Sequence, residues 1–188
     1  MFKIDKIYVI LLVVALGTWW LVKFTGLDEV FFTPALKHSP DYYSTGYTKF
    51  EMDLTGKLDN KLLADKMAHY SDDGETHLDN LLIYFYNDKT PPWEIKSETG
   101  LLSADGKDLL LNGKVKVYRE RSEHANQLII NTTNVKVKTE TSYAETDDWA
   151  ELLSQSNKTT GIGMKLVFTT PVRIDLLAKV RGTYETKK

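Results

Sequence analysis

The stretch "LLLNGKVKVY", residues 109–118, decides the fold. Its second half sets Lys114 and Lys116 against Val115 and Val117 with a period of two. That is the spacing of a β-strand with one face turned inward and one turned out. A near copy, "LIINTTNVKVKT", follows at 128–139. Val135 and Val137 then share one face, while Lys136 and Lys138 share the other with Lys114 and Lys116. Asn112-Gly113 reads as a tight turn between two strands.

Working outward, "DGETHLDNLLIYFY" (73–86) superposes on "DGKDLLLNGKVKVY" (105–118) at an offset of 32 residues. Asp73-Gly74 falls on Asp105-Gly106, Asn80 on Asn112, Ile83 on Val115 and Phe85 on Val117. Repeats of this size mean one supersecondary unit stacked on its neighbours to bury a shared face. Each unit is expected to be a turn, a strand, a tight turn and a second strand. Further turn signals stand at Thr55-Gly56, Thr90-Pro91-Pro92 and Gly161-Ile162-Gly163. Two segments compete as helix. "NKLLADKMAHY" (60–70) is expected as a strand, whereas "DDWAELLSQ" (147–155) fits helix and strand equally. Short strands in regular succession with little helix indicate an all-β sandwich, barrel or roll. Leu166, Phe168, Val172, Ile174 and Leu176 also fall on inward positions. The interior is therefore aliphatic with a few aromatics, either a packed core or a lipid-sized trough.

The N-terminus differs. "IYVILLVVALGTWWLVKF", residues 7–24, has no charge before Lys23, and as a helix it spans about 27 Å, close to the hydrocarbon core of a bilayer. Trp19 and Trp20 suit an interfacial belt, and Lys3 and Lys6 ahead of the segment place the N-terminus in the cytoplasm. The competing reading is a cleaved signal peptide ending near Ala15-Leu16-Gly17; the apolar run continues through Trp20 and Val22, which favours an uncleaved anchor. Pro34 and Pro40 mark residues 25–40 as a linker.

Composition excludes several functions. The 188 residues carry a net charge of −2 and no cysteine. A slightly acidic chain lacks the basic face that nucleic acid demands, and thiol catalysis, disulfides and zinc–cysteine sites are ruled out. His38, His69, His77 and His124 lack ligand spacing, and no nucleophile-elbow, phosphate-loop or dinucleotide motif occurs. Glu145 with Asp147 and Asp148 reads as a solvated turn or helix start. The lysine rows read as a solvent face that discourages aggregation. No metal, cofactor or catalytic residue is expected.

"LLADKMAHYSDDGETHLDN", "PPWEIKSETGLLSADGKDLLLNGKVKV" and the terminal "LLAKVRGTYE", behind a short anchor, closely resemble the LptC family of lipopolysaccharide-export proteins of Gram-negative bacteria, and the D-G-K repeat is similar to the wider OstA-type domain family. The resemblance covers nearly the whole chain. It implies an open twisted β-jellyroll of antiparallel strands behind one transmembrane helix. The organisation would be a cytoplasmic tail (1–6), an inner-membrane anchor (7–24), a linker (25–40) and a periplasmic OstA-like roll (41–186). It also implies a non-enzymatic role, in which lipopolysaccharide is received from an inner-membrane ABC transporter and passed to the periplasmic bridge protein LptA. Lipid would meet the inward positions Tyr47, Leu78, Ile83, Phe85, Val115, Val117, Val135, Val137, Phe168 and Ile174. Val180, Arg181, Gly182, Thr183, Tyr184 and Glu185 would form the edge that LptA extends. The resemblance allows a homodimer of the isolated chain. The rival readings are a structural adaptor docking partners through its edges and, with no site to support it, an envelope hydrolase.

Overall fold

Period-two alternation, interrupted by Asx and glycine turns, produces nine strands in the computed structural model, which describes residues 6–24, 38–155, 157–169 and 171–184. The strands are β1 (Pro40–Met52), β2 (Leu58–Tyr70), β3 (Thr76–Phe85), β4 (Trp93–Leu102), β5 (Asp108–Arg119), β6 (Leu128–Lys138), β7 (Tyr143–Ser154), β8 (Asn157–Val167) and β9 (Arg173–Thr183). They form one antiparallel sheet in sequence order, so each strand pairs only with its chain neighbours. Asx turns make the reversals after β1, β2 and β4. Asp53 accepts from the backbone of Thr55 and Lys57, and Asp105 from that of Lys107.

Two units are distinguished, Met1–His38 and Ser39–Lys188. The first contributes one helix, α1 (Lys6–Phe24), which is apolar all round and long enough by length and composition to cross a membrane. Thr18 returns its hydroxyl to the carbonyls of Val14 and Ala15 at 2.9 and 3.0 Å, which satisfies that hydroxyl within the helix itself. Residues 1–5 and 25–37, covering most of the expected tail and linker, lie outside the described residues.

Two expectations are corrected and one open alternative is decided. Asn112-Gly113 does not turn the chain but lies inside the continuous strand β5. There it makes a bulge, two residues facing the single Asn134 of β6. Each repeat is consequently a turn followed by one long strand with an irregularity part-way along it, a bulge in β5 and a change of parity in β3 and β6. Gly161-Ile162-Gly163 likewise lies within β8. The ambiguous segment 147–155 is strand β7 up to Ser154, because its inner residues Thr146 and Ala150 join the core and its bulge at Asp147-Asp148 imitates a helical spacing.

These irregularities align into a crease running across the sheet. In β3 the buried set passes from Leu78 to Leu81, in β4 from Ser97 to Gly100, and in β6 from Thr132 to Val135, each time changing parity. β5, β7 and β9 instead insert a residue relative to their neighbours. Both halves of every strand thereby point at one interior although the sheet bends between them. Asn80, Gly113, Asn134, Gly163 and Lys179 all have positive φ along this line. Side chains satisfy the backbone that the bend leaves unpaired. The Gly113 N–H donates to Asn134 Oδ1 at 3.0 Å, and the Thr146 and Thr132 hydroxyls donate to the carbonyls of Thr133 and Trp149.

Gly113 is where glycine matters most. Its φ is +76°, yet a Cβ there would meet nothing nearer than a Glu98 carboxylate oxygen at 4.0 Å. Gly113→Ala is therefore expected to lose about 1–2 kcal/mol from backbone conformation alone. Urea unfolding checks this, and an unchanged midpoint would show that the crease does not need a left-handed residue.

The crease and the sheet's twist let it close on the diagonal. In the ladder, Val167 stands at the end shared with Tyr143, Lys138 and Asp108, while Phe85 and Trp93 stand at the other end beside Arg119. Phe168 nevertheless stacks on Phe85 with centroids 4.7 Å apart and meets Trp93 edge-on at 5.6 Å. Asn87 Nδ2 donates to the Phe168 carbonyl at 3.1 Å and fixes the corner. β1 and β9 do not pair with each other, so the roll is open.

Candidate lipid-binding interior and docking edges

The inward positions gather in one hydrophobic cluster. Leu78, Ile83, Phe85, Val115, Val117, Val135, Val137 and Phe168 are each at most 2% exposed and touch protein on every side. Trp93 completes an aromatic plug with Phe85 and Phe168, and the Arg119 guanidinium lies over its indole at 4.4 Å. Burial pulls the Arg119 pKa down, and its Nη2 donates to the Asn126 carbonyl at 3.3 Å. Tyr47 and Ile174 differ from the rest. They are only partly buried, and they pack on the core with Met67, Leu152, Val172 and Leu176. Apart from Leu152, these rim residues sit on β1, β2, the lead-in to β9 and β9 itself, next to the two unpaired edges. Met67, Leu152, Val172 and Leu176 were not among the expected lipid positions. Met67 could not be reached by simple alternation, because β2 changes parity between Ala64 and Met67.

At the C-terminal edge, Thr183, Gly182 and Arg181 pair with Lys158, Thr159 and Thr160 of β8, and no strand of the described residues covers the other side of β9. Val180 is 54% and Tyr184 70% exposed, and the Tyr184 ring folds over Gly182, where an added Cβ would come within 2.8 Å of it. Glu185 lies outside the described residues. The N-terminal edge presents Tyr42, Tyr43, Phe50 and Met52, all more than half exposed.

His69, His77, Asp148 and Glu145 make contacts within the fold. His69 Nδ1 lies 3.0 Å from Thr76 Oγ1 and its ring stacks on Tyr42, while His77 packs against Tyr70. Asp148 accepts from Thr133 Oγ1 at 2.6 Å and Asn134 Nδ2 at 2.8 Å, and these bonds hold its pKa below the usual carboxylate value. Tyr143 is pushed up to about 12 by burial and by donating to Glu145 at 2.7 Å. A depressed carboxylate stabilises the fold above its unfolded pKa and loses that contribution as pH falls through the folded value. The urea midpoint is thus expected to fall less below about pH 4 in Asp148→Ala than in the parent. Parallel acid titrations of the two would expose a crease clamp that does not respond.

Beyond its geometry, the chain carries a family signature. The LptC-related lipopolysaccharide-assembly signature matches residues 7–185. The chain belongs to that family. LptC-related chains are membrane-anchored components of lipopolysaccharide transport, and α1 is the matching apolar helix here. No curated protein matches the sequence. Among solved structures, the chain is similar to the crystal structure of LptH from Pseudomonas aeruginosa, described as the LptA-homologous periplasmic component of the lipopolysaccharide transport device. The TM-score is 0.52 at 8% identity, over 68% of this LptC-family chain and 95% of LptH. That likeness establishes the shared open β-jellyroll.

Proposed function

We propose that this chain is a non-enzymatic carrier that takes lipopolysaccharide from an inner-membrane ABC transporter and hands it to LptA. The observation that supports this most is the rim. Tyr47, Met67, Ile174 and Leu176 form a half-buried apolar lining that continues the core out to the unpaired edges. Each methylene buried there contributes roughly 0.8 kcal/mol, so acyl chains need no specific polar group to be held. An open side lets the sugars stay in water. In this reading α1 anchors the chain with Lys3 and Lys6 in the cytoplasm and the roll in the periplasm. β1 faces the transporter, and Val180 to Glu185 lead LptA into sheet extension.

The eight sealed positions take part only once the roll opens, so lipid rides first on Tyr47 and Ile174. A second reading has support of its own. The stacked Phe85–Phe168 plug and the sealed core also suit an adaptor that docks partners through its edges and never holds lipid.

Site-specific photo-crosslinking in cells making lipopolysaccharide separates the two. Lipopolysaccharide adducts are expected from Tyr47 and Ile174, weaker ones from Leu78 and Val115, and none from the exposed outward positions Thr48 and Lys165. Silence at Tyr47 and Ile174 would leave the adaptor.

A further inference from the structure

The crease opens a groove on the outer face of the sheet, away from the rim and the edges. Its volume is about 770 Å³, within the range of small-molecule sites. Leu82 and Trp149 give it apolar walls, the latter half exposed, and the stems of Lys96, Lys114 and Lys116 extend them.

The charges around this apolar floor are unbalanced. Lys96 stands directly opposite Lys116 on adjacent strands, a like-charge pairing that disfavours the sheet unless an anion offsets it. Lys96 reaches Glu94 only at 3.8 Å, and among the described residues Lys114 and Lys116 form no ion pair. Glu98 is the one carboxylate on the lining, against three ammonium groups. The bend brings these groups together, since it sets Leu82, Lys96 and Lys116 in one outward row beside the bulge at Gly113.

We infer that this groove binds an amphiphile with an anionic head, its apolar limb lying along Leu82 and Trp149 and its phosphate or carboxylate between Lys114 and Lys116. The head relieves the repulsion between Lys96 and Lys116, and the limb covers a tryptophan that the fold leaves in water. The buried Val115 and Leu81 floor this groove from the core side, so it is reached from outside the sheet and can be occupied while the core stays shut.

The test uses the full chain in phosphatidylcholine nanodiscs and a dodecyl phosphate with a diazirine at the chain terminus. After irradiation, adducts are mapped by mass spectrometry. Label is expected on the peptides holding Leu82 and Trp149, competed by excess dodecyl phosphate but not by dodecyl maltoside or inorganic phosphate. Lys114→Glu with Lys116→Glu should cut labelling about tenfold. Both side chains are exposed, so circular dichroism should match the parent, and the urea midpoint should not fall, because Lys116→Glu sets an opposite charge against Lys96. Competition by inorganic phosphate would reduce the groove to a free-anion site. Equal labelling by a neutral dodecyl diazirine, or label confined to Tyr47 and Ile174, would overturn the proposal, the last while sparing the carrier reading.

Discussion

Phe168→Ala is expected to lower the stability of the roll by about 3–5 kcal/mol, among the largest effects a single truncation produces. Phe168 is 1% exposed and follows the last residue of β8, yet it packs on Phe85 and Trp93 from the far end of the ladder. Removing the ring leaves a cavity that rigid strands on both sides cannot fill. The Asn87 bond to residue 168 is to the backbone carbonyl, which the substitution keeps, so the loss reports the ring itself. For a domain of this size the melting temperature should drop by about 6–20 °C. Phe168→Leu keeps most of the volume and should lose about 1–2 kcal/mol. Thermal and urea unfolding of both variants decide the matter. Equal, small losses would mean that the diagonal closure contributes little and that the ladder stands alone.

The second large effect concerns binding. Ending the chain after Lys179 is expected to abolish capture of LptA while the melting temperature moves by only a few degrees. The register pairs lost are those of Arg181, Gly182 and Thr183, and every residue from Leu177 to Thr183 is exposed, so little core is given up. A strand end that runs on past the bulge at Lys179-Val180, open on its outer side and with Val180 and Tyr184 exposed, is the kind of edge that a partner strand can extend. Capture is read by pull-down of LptA on the full and shortened chains, with circular dichroism confirming the sheet. Undiminished capture by the shortened chain would move the docking edge elsewhere, to β1 first.

Much of the architecture could be read from alternation. Val115 and Val117 face inward and Lys114 and Lys116 outward, and the Asp-Gly pairs turn the chain. What alternation hid was the crease. A bulge and a turn both use Asn-Gly with a left-handed glycine, and the partner strand distinguishes them: Asn134 opposes Asn112-Gly113 in the ladder. The change of parity in β2, β3, β4, β6 and β8 likewise cannot be seen without neighbours. Of the interior positions, eight proved sealed and two peripheral, a distinction set by distance from the open edges and by the pairing of Phe168 with Phe85. That contact joins residues 83 apart, and nothing local announces it. The outer groove was hidden for the same reason, since its lysines read singly as an ordinary wet face.

The order β1 to β9 has a consequence for how the molecule comes into being. Every ladder contact joins strands adjacent in sequence, so the loops to be closed are short and contact order within the sheet is low. A chain emerging N-terminus first can add strands one at a time, each finding its partner already waiting. The meeting of Phe168 with Phe85 and Trp93 is the exception, because it requires β3 through β8 to exist beforehand. Shutting the roll therefore draws on strands already assembled, unlike any single ladder pairing. The contact that seals the interior lies outside the ladder, so it can open without breaking a strand pair.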